Sequence, residues 1–157
     1  NQWVERRRTI AERYREALQD VPGLLLPDAS TGHGHGWNQF VVRVTVCPND
    51  ASSSATHSPG EFGLPSSHCR DWLKQNLQEQ GVNTIIYYPI PIHRQPAYSE
   101  QQRDSSLPVT EQLCSEVLSL PIFPELTNEQ QEQVISVLRS LLIQNSPLNS
   151  QTCSVAA

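Results

Sequence analysis

Trp3, Ile10, Tyr14, Ala17 and Leu18 recur at helical spacing, with arginines and glutamates on the opposite side. The pattern predicts an amphipathic helix stopped by Pro22 and Gly23. Leu24, Leu25 and Leu26 form a brief apolar run ending at Pro27, predicting a short edge strand. Phe40, Val42, Val44 and Val46 alternate with Gln39, Val41, Arg43 and Thr45, which is the signature of a half-buried strand. Trp72, Leu73 and Leu77 mark the inward face of a helix over 70–80, with Ser66 or Ser67 as its cap and Gly81 as the residue closing it. A β-branched and aromatic run then predicts a strand over 83–88. Pro108 suits the first turn of a short helix carrying Val109, Leu113 and Val117. A small apolar strand over 118–120 ends at Pro121. Thr127 and Gln130 fit a capping box, and the helix they open places Val134, Val137, Leu138, Leu141 and Leu142 on one stripe.

This order of elements is an α+β pattern, a small, mainly antiparallel sheet covered on one face by helices. It divides into a first helix over 1–20, a domain over 21–144 and a polar tail over 145–157 expected to be disordered. The stretch 47–68 is rich in Ser, Pro, Gly and Asn and reads as a flexible insertion, a neutral surface excursion. Gly32-His33-Gly34-His35-Gly36 sits in a turn-rich loop. Two histidines without a third or fourth ligand nearby point to a loop rather than a metal site.

Composition narrows the function classes. A chain of 157 residues has room for one domain. A formal charge of −5 argues against nucleic acid as a partner. Arg6, Arg7 and Arg8 read as a solvated turn of helix beside Glu5 and Glu12. No apolar run approaches the roughly 20 residues of a membrane helix. Cys47, Cys69, Cys114 and Cys153 are far apart with no C-x-x-C pair, so they read as reduced thiols in a cytoplasmic protein. The chain starts inside a helical pattern without a methionine, as expected of the C-terminal part of something longer.

The segment 81–98 carries the candidate chemistry. A strand meets Pro89, Pro91 and Pro96, which stiffen the chain and cannot join a central ladder. His93 lies between them. Its structural reading is a solvated side chain in a proline-rich loop. Its functional reading is a polar group held at the edge of a cleft. Residues 84–98 resemble the I-x-Y-Y-P-x-P-x-H-x-Q-P-A-Y signature of the DegT/DnrJ/EryC1/StrS sugar aminotransferases. Residues 6–18, 37–44, 107–111 and 116–129 are similar to further parts of that family, in the same order.

The resemblance implies the C-terminal small domain of a fold-type I pyridoxal-phosphate enzyme. It implies a homodimer moving an amino group from an amino-acid donor, glutamate being the expected one, to a nucleotide-linked keto sugar. Some relatives carry out sugar dehydration instead, and a free-standing interaction module is a third reading. His93 is the expected substrate-binding residue, through diphosphate or sugar hydroxyls, with Tyr88 walling the pocket. Trp37 reads as a packing anchor and Asn38 as a turn residue. Arg43, a tempting carboxylate clamp, falls on the wetter strand face. Transamination needs a lysine for the Schiff base. The single lysine, Lys74, lies on a predicted solvent-facing helix side. The chain by itself is therefore expected to be inactive, with cofactor residues elsewhere.

Overall fold

The computed structural model describes residues 2–28, 34–46, 67–98 and 106–144. Its elements are α1 (Gln2–Leu18), β1 (Leu24–Leu25), β2 (Phe40–Val44), α2 (His68–Glu79), α3 (Pro108–Glu116), β3 (Val117–Leu120) and α4 (Asn128–Arg139). A 3₁₀ turn (Ile92–Arg94) precedes α3, and a π-helical turn (Ser140–Gln144) follows α4. The expected insertion and tail fall mostly or wholly outside the described residues.

The sheet has the order β1-β2-β3 and both pairings are antiparallel. Phe40, Val42 and Val44 are buried, as the alternation predicts, whereas Val46 lies beyond the strand and is exposed. Helices pack their apolar stripes against this sheet, and one core results. Tyr14 and Phe40 are fully buried at its centre, ring centroids 5.1 Å apart. The Tyr14 hydroxyl donates to the Pro121 carbonyl at 3.0 Å, and burial pushes its pKa up. Gln131, also buried, donates from Nε2 to the Ile10 carbonyl and ties α4 to α1. The α+β architecture read from the sequence is the one observed.

Local signals explain the helix ends. Thr127 accepts from the Gln130 amide while the Gln130 side chain accepts from the Thr127 amide, the reciprocal bonds of a capping box. Gly81 sits at φ +79°, the left-handed corner that favours glycine after a helix. Ser67 occupies the N-cap of α2, but its hydroxyl donates to the Asp71 carboxylate instead of capping an amide.

Four expectations need correction. Trp3 is exposed, because α1 meets the core only from Ile10 onward. In α3, Val109 is exposed and the buried face carries Glu111, Cys114 and Ser115. The run 83–88 is an extended edge segment joined to β3 only through an Ile85–Ser119 bridge, since the prolines beyond it supply no amides for a ladder. Cys69 is disulfide-bonded, so the four thiols are not all reduced, and cysteine state gives no argument for a cytoplasmic setting. Separation in sequence does not bound the distance between sulfurs in the fold. Cys114 is free and buried, and burial raises its pKa.

Candidate functional site

The edge segment alternates its side chains across two sides. Asn83, Ile85 and Tyr87 face a groove of about 480 Å³. Ile86, between them, packs toward the core. The groove continues over Ser119, Phe123, Gln130 and Gln133, with Asn38 at the start of β2 also in its wall. Its described lining includes no charged side chain. Side-chain amides beside the rings of Tyr87 and Phe123 make a surface suited to uncharged hydroxyl-rich or planar groups.

Asn38 reaches this groove because of the corner before it. Trp37 adopts φ +46°, a conformation rare for a bulky residue. Its ring is buried against Phe40, and His35 stacks on it at 4.1 Å between centroids. The Trp37 amide donates to His35 Nδ1 at 2.9 Å. Trp37 is thus the packing anchor expected of it, while Asn38 is both a turn residue and a groove residue.

The structure separates the two residues singled out in the sequence. Tyr88 is exposed and is not part of the groove wall, which takes Tyr87 instead. His93 is buried in the 3₁₀ turn, 5% exposed, and its Nε2 lies 2.8 Å from Glu111 Oε1. Arg94 donates to the same oxygen from Nε and Nη2, and the Leu107 amide adds a longer bond. Glu111 is the functional candidate that sequence reasoning missed. An acidic residue sharing a helix face with Cys114 and Ser115, at spacings of three and four, was the signal available.

The His93 hydrogen bond is the main cause holding the Glu111 carboxyl below the usual carboxylate range. The Leu107 amide and Arg94 add to it, and burial opposes it. A carboxyl whose folded pKa is lowered stabilises the fold above its ordinary pKa, and that contribution is lost as pH falls through the folded value. Thermal unfolding followed from about pH 6 to pH 3 should therefore show a smaller acid-induced fall in Tm for Glu111→Gln than for the native chain. Asp20 and Glu129, lowered in the same sense, leave a residual acid dependence in both proteins.

The remaining cationic candidates are engaged structurally. Arg6 donates to the Pro124 and Leu126 carbonyls and Arg7 to the Gly36 carbonyl, so this cluster staples α1 to neighbouring loops. Arg8 pairs with Glu5. Arg43 pairs with Glu116 at 2.7 Å, outside the groove. Lys74 lies on α2, not in the groove. A pyridoxal cofactor needs an amine beside a phosphate cradle, and the residues described do not fit one.

Residues 1–139 match the model of the DegT/DnrJ/EryC1/StrS aminotransferase family. The chain belongs to that family. It is 37% identical over 139 residues to the erythromycin biosynthesis sensory transduction protein EryC1 of Saccharopolyspora erythraea, covering 88% of this chain and 32% of that protein. It is 37% identical over 134 residues to the dTDP-3-amino-3,6-dideoxy-alpha-D-galactopyranose transaminase of Aneurinibacillus thermoaerophilus, covering 85% and 30%. Its fold matches NtdA from Bacillus subtilis with bound cofactor PMP at a TM-score of 0.70 and 28% identity, covering 90% of this chain and 29% of that one. The chain thus spans about a third of the length of the curated relatives it matches. In this DegT-family chain the groove and the His93–Glu111 turn lie at the two ends of one irregular segment, 83–93.

Proposed function

We propose that the complete protein is a pyridoxal-phosphate-dependent aminotransferase. It moves an amino group from an amino acid, with glutamate as the donor, to a keto sugar linked to a nucleoside diphosphate. The observation that carries this reading is family membership over 139 of 157 residues, joined to a neutral, amide-lined groove beside the signature segment. Relatives named as nucleotide-sugar transaminases support the substrate class. The related structure with bound PMP supports the cofactor. The cofactor, when bound, supplies the electron sink that lets an amino group move between carbon atoms.

This chain's share of the work is substrate recognition. The cofactor lysine and phosphate ligands belong to sequence beyond these 157 residues, and the 157 residues by themselves are inactive. His93 contacts the nucleotide sugar through its remaining ring nitrogen, and Tyr88 shields the approach from the exposed side of the turn. The proposed assembly is a homodimer. Its proposed setting is the cytoplasm, resting on the substrate class alone. Among the described residues no helix is long and apolar enough to cross a membrane.

His93→Ala in the complete protein tests the assignment. With a dTDP-linked 3-keto-6-deoxyhexose as substrate, we expect the KM for the sugar to rise about 10-fold, the scale of one lost polar contact, with the KM for glutamate unchanged. Unaltered sugar kinetics would remove His93 from the site.

A further inference from the structure

We propose that Glu111 is a positioning residue that fixes the protonation pattern of the His93 ring, holding the proton on Nε2 and leaving Nδ1 as the nitrogen offered to the sugar nucleotide. The part concerning the sugar rests on the function proposed above; the part concerning the ring does not.

Four donors converge on one carboxylate oxygen. Glu111 Oε1 lies 2.8 Å from His93 Nε2, 3.2 Å from Arg94 Nε and 3.1 Å from Arg94 Nη2, with the Leu107 amide at 3.4 Å. Both Glu111 and His93 are buried, at 8% and 5% exposure. An ionised carboxylate only accepts hydrogen bonds. Any stable contact at 2.8 Å therefore requires a hydrogen on Nε2. Arg94 supplies a permanent positive charge at the same oxygen and favours the ionised carboxylate. The Glu111 carboxyl is held below the ordinary carboxylate range, in agreement with this geometry.

The consequence falls on the other nitrogen. With Nε2 committed to donation, neutral His93 has Nδ1 as its acceptor, and Nδ1 makes no hydrogen bond to another described residue. The two nitrogens of an imidazole are distinct, and the bond made by one sets the role of the other. Glu111 comes from α3 and His93 from the proline-rich turn, so the contact also pins that turn to a helix. Pro91 and the 3₁₀ hydrogen bonds stiffen the turn along the chain. They leave the ring's rotation about its own bonds unspecified, and Glu111 removes that freedom. Arg94, on the adjacent position, is drawn to the same carboxylate and away from the groove.

The deciding measurement is nitrogen-15 NMR of the histidine rings in the complete protein, with His93 assigned by its loss in His93→Ala. In the neutral ring we expect Nε2 of His93 to carry the proton and Nδ1 to be the bare nitrogen. In Glu111→Leu the proton of the neutral ring should be shared between both nitrogens. Loss of the Nε2 proton in the native protein, or an unchanged ring in Glu111→Leu, overturns the proposal. Should Glu111→Leu not fold, Glu111→Met, which keeps an unbranched side chain of similar length and offers no strong acceptor to Nε2, serves for the same comparison.

Kinetics then separate the two readings. Glu111→Leu, or Glu111→Met in its place, should raise the KM for the dTDP-linked 3-keto-6-deoxyhexose about 2- to 10-fold with little change in kcat, and have no further effect on a His93→Ala background. Equal effects in both backgrounds would show that Glu111 acts through some other group and would overturn its role toward the sugar. A silent His93→Ala would defeat the function assigned to His93, while the ring spectra would still decide whether Glu111 sets the tautomer.

Discussion

Replacing Phe40 with alanine is expected to destabilise the fold by about 3–5 kcal/mol, the range for large-to-small substitutions of buried aromatic residues. Phe40 is fully buried at the first position of β2. Tyr14 of α1 lies 5.1 Å away and Trp37 5.6 Å away, centroid to centroid. Alanine would open a cavity between the helix and the sheet, and the Trp37 corner would lose the ring that holds it. Part of the cost therefore reaches the groove through Asn38, the next residue. Urea unfolding gives the magnitude. A loss below about 1 kcal/mol, typical of a surface change, would mean that the three rings do not form the packed centre described.

Arg70→Met is expected to cost about 1.5–3 kcal/mol, the worth of hydrogen bonds from a charged group. Arg70 is 4% exposed, unusual for an arginine. Its Nη1 donates to the Cys114 carbonyl at 2.8 Å and its Nε to Asp71. Methionine keeps the aliphatic stem and removes the donors, so packing loss is separated from lost polar contacts. The substitution leaves the Cys114 carbonyl without its side-chain donor near the end of α3. That helix carries Glu111, so the Arg70 contact also steadies the base of the His93 turn. Chemical denaturation of Arg70→Met beside Arg70→Ala measures both contributions. A change within about 0.5 kcal/mol for Arg70→Met would contradict the structural role assigned to this guanidinium.

Sequence periodicity revealed the elements whose cause is local. The capping box at Thr127 and Gln130, the left-handed Gly81 and the alternation through β2 each depend on residues within a few positions. The apolar stripe appears as read, with Val134, Val137 and Leu138 on α4 and Leu141 and Leu142 on the π-helical turn after it all buried. Features set by distant partners were less legible. An apolar residue at a helix end is buried only if something covers it, and nothing covers Trp3 or Val109. The edge segment has strand composition, yet it joins β3 at a single bridge, because the prolines beyond it supply no amides for a ladder. In such a segment a shift of one residue exchanges the two sides. That is why the ring facing the groove is Tyr87, with Tyr88 exposed. Glu111 is hard to find from sequence for a related reason. Its three side-chain hydrogen bonds come from residues 17 and 18 positions away, and no spacing rule within a helix reveals them.

The division of labour proposed here, substrate recognition on this chain and cofactor attachment beyond it, has one decisive measurement. The complete protein is incubated with pyridoxal phosphate, reduced with borohydride and digested, and the pyridoxyl-modified lysine is located by mass spectrometry. The account predicts a single stoichiometric adduct on a lysine outside these 157 residues. A stoichiometric adduct on Lys74 would contradict it.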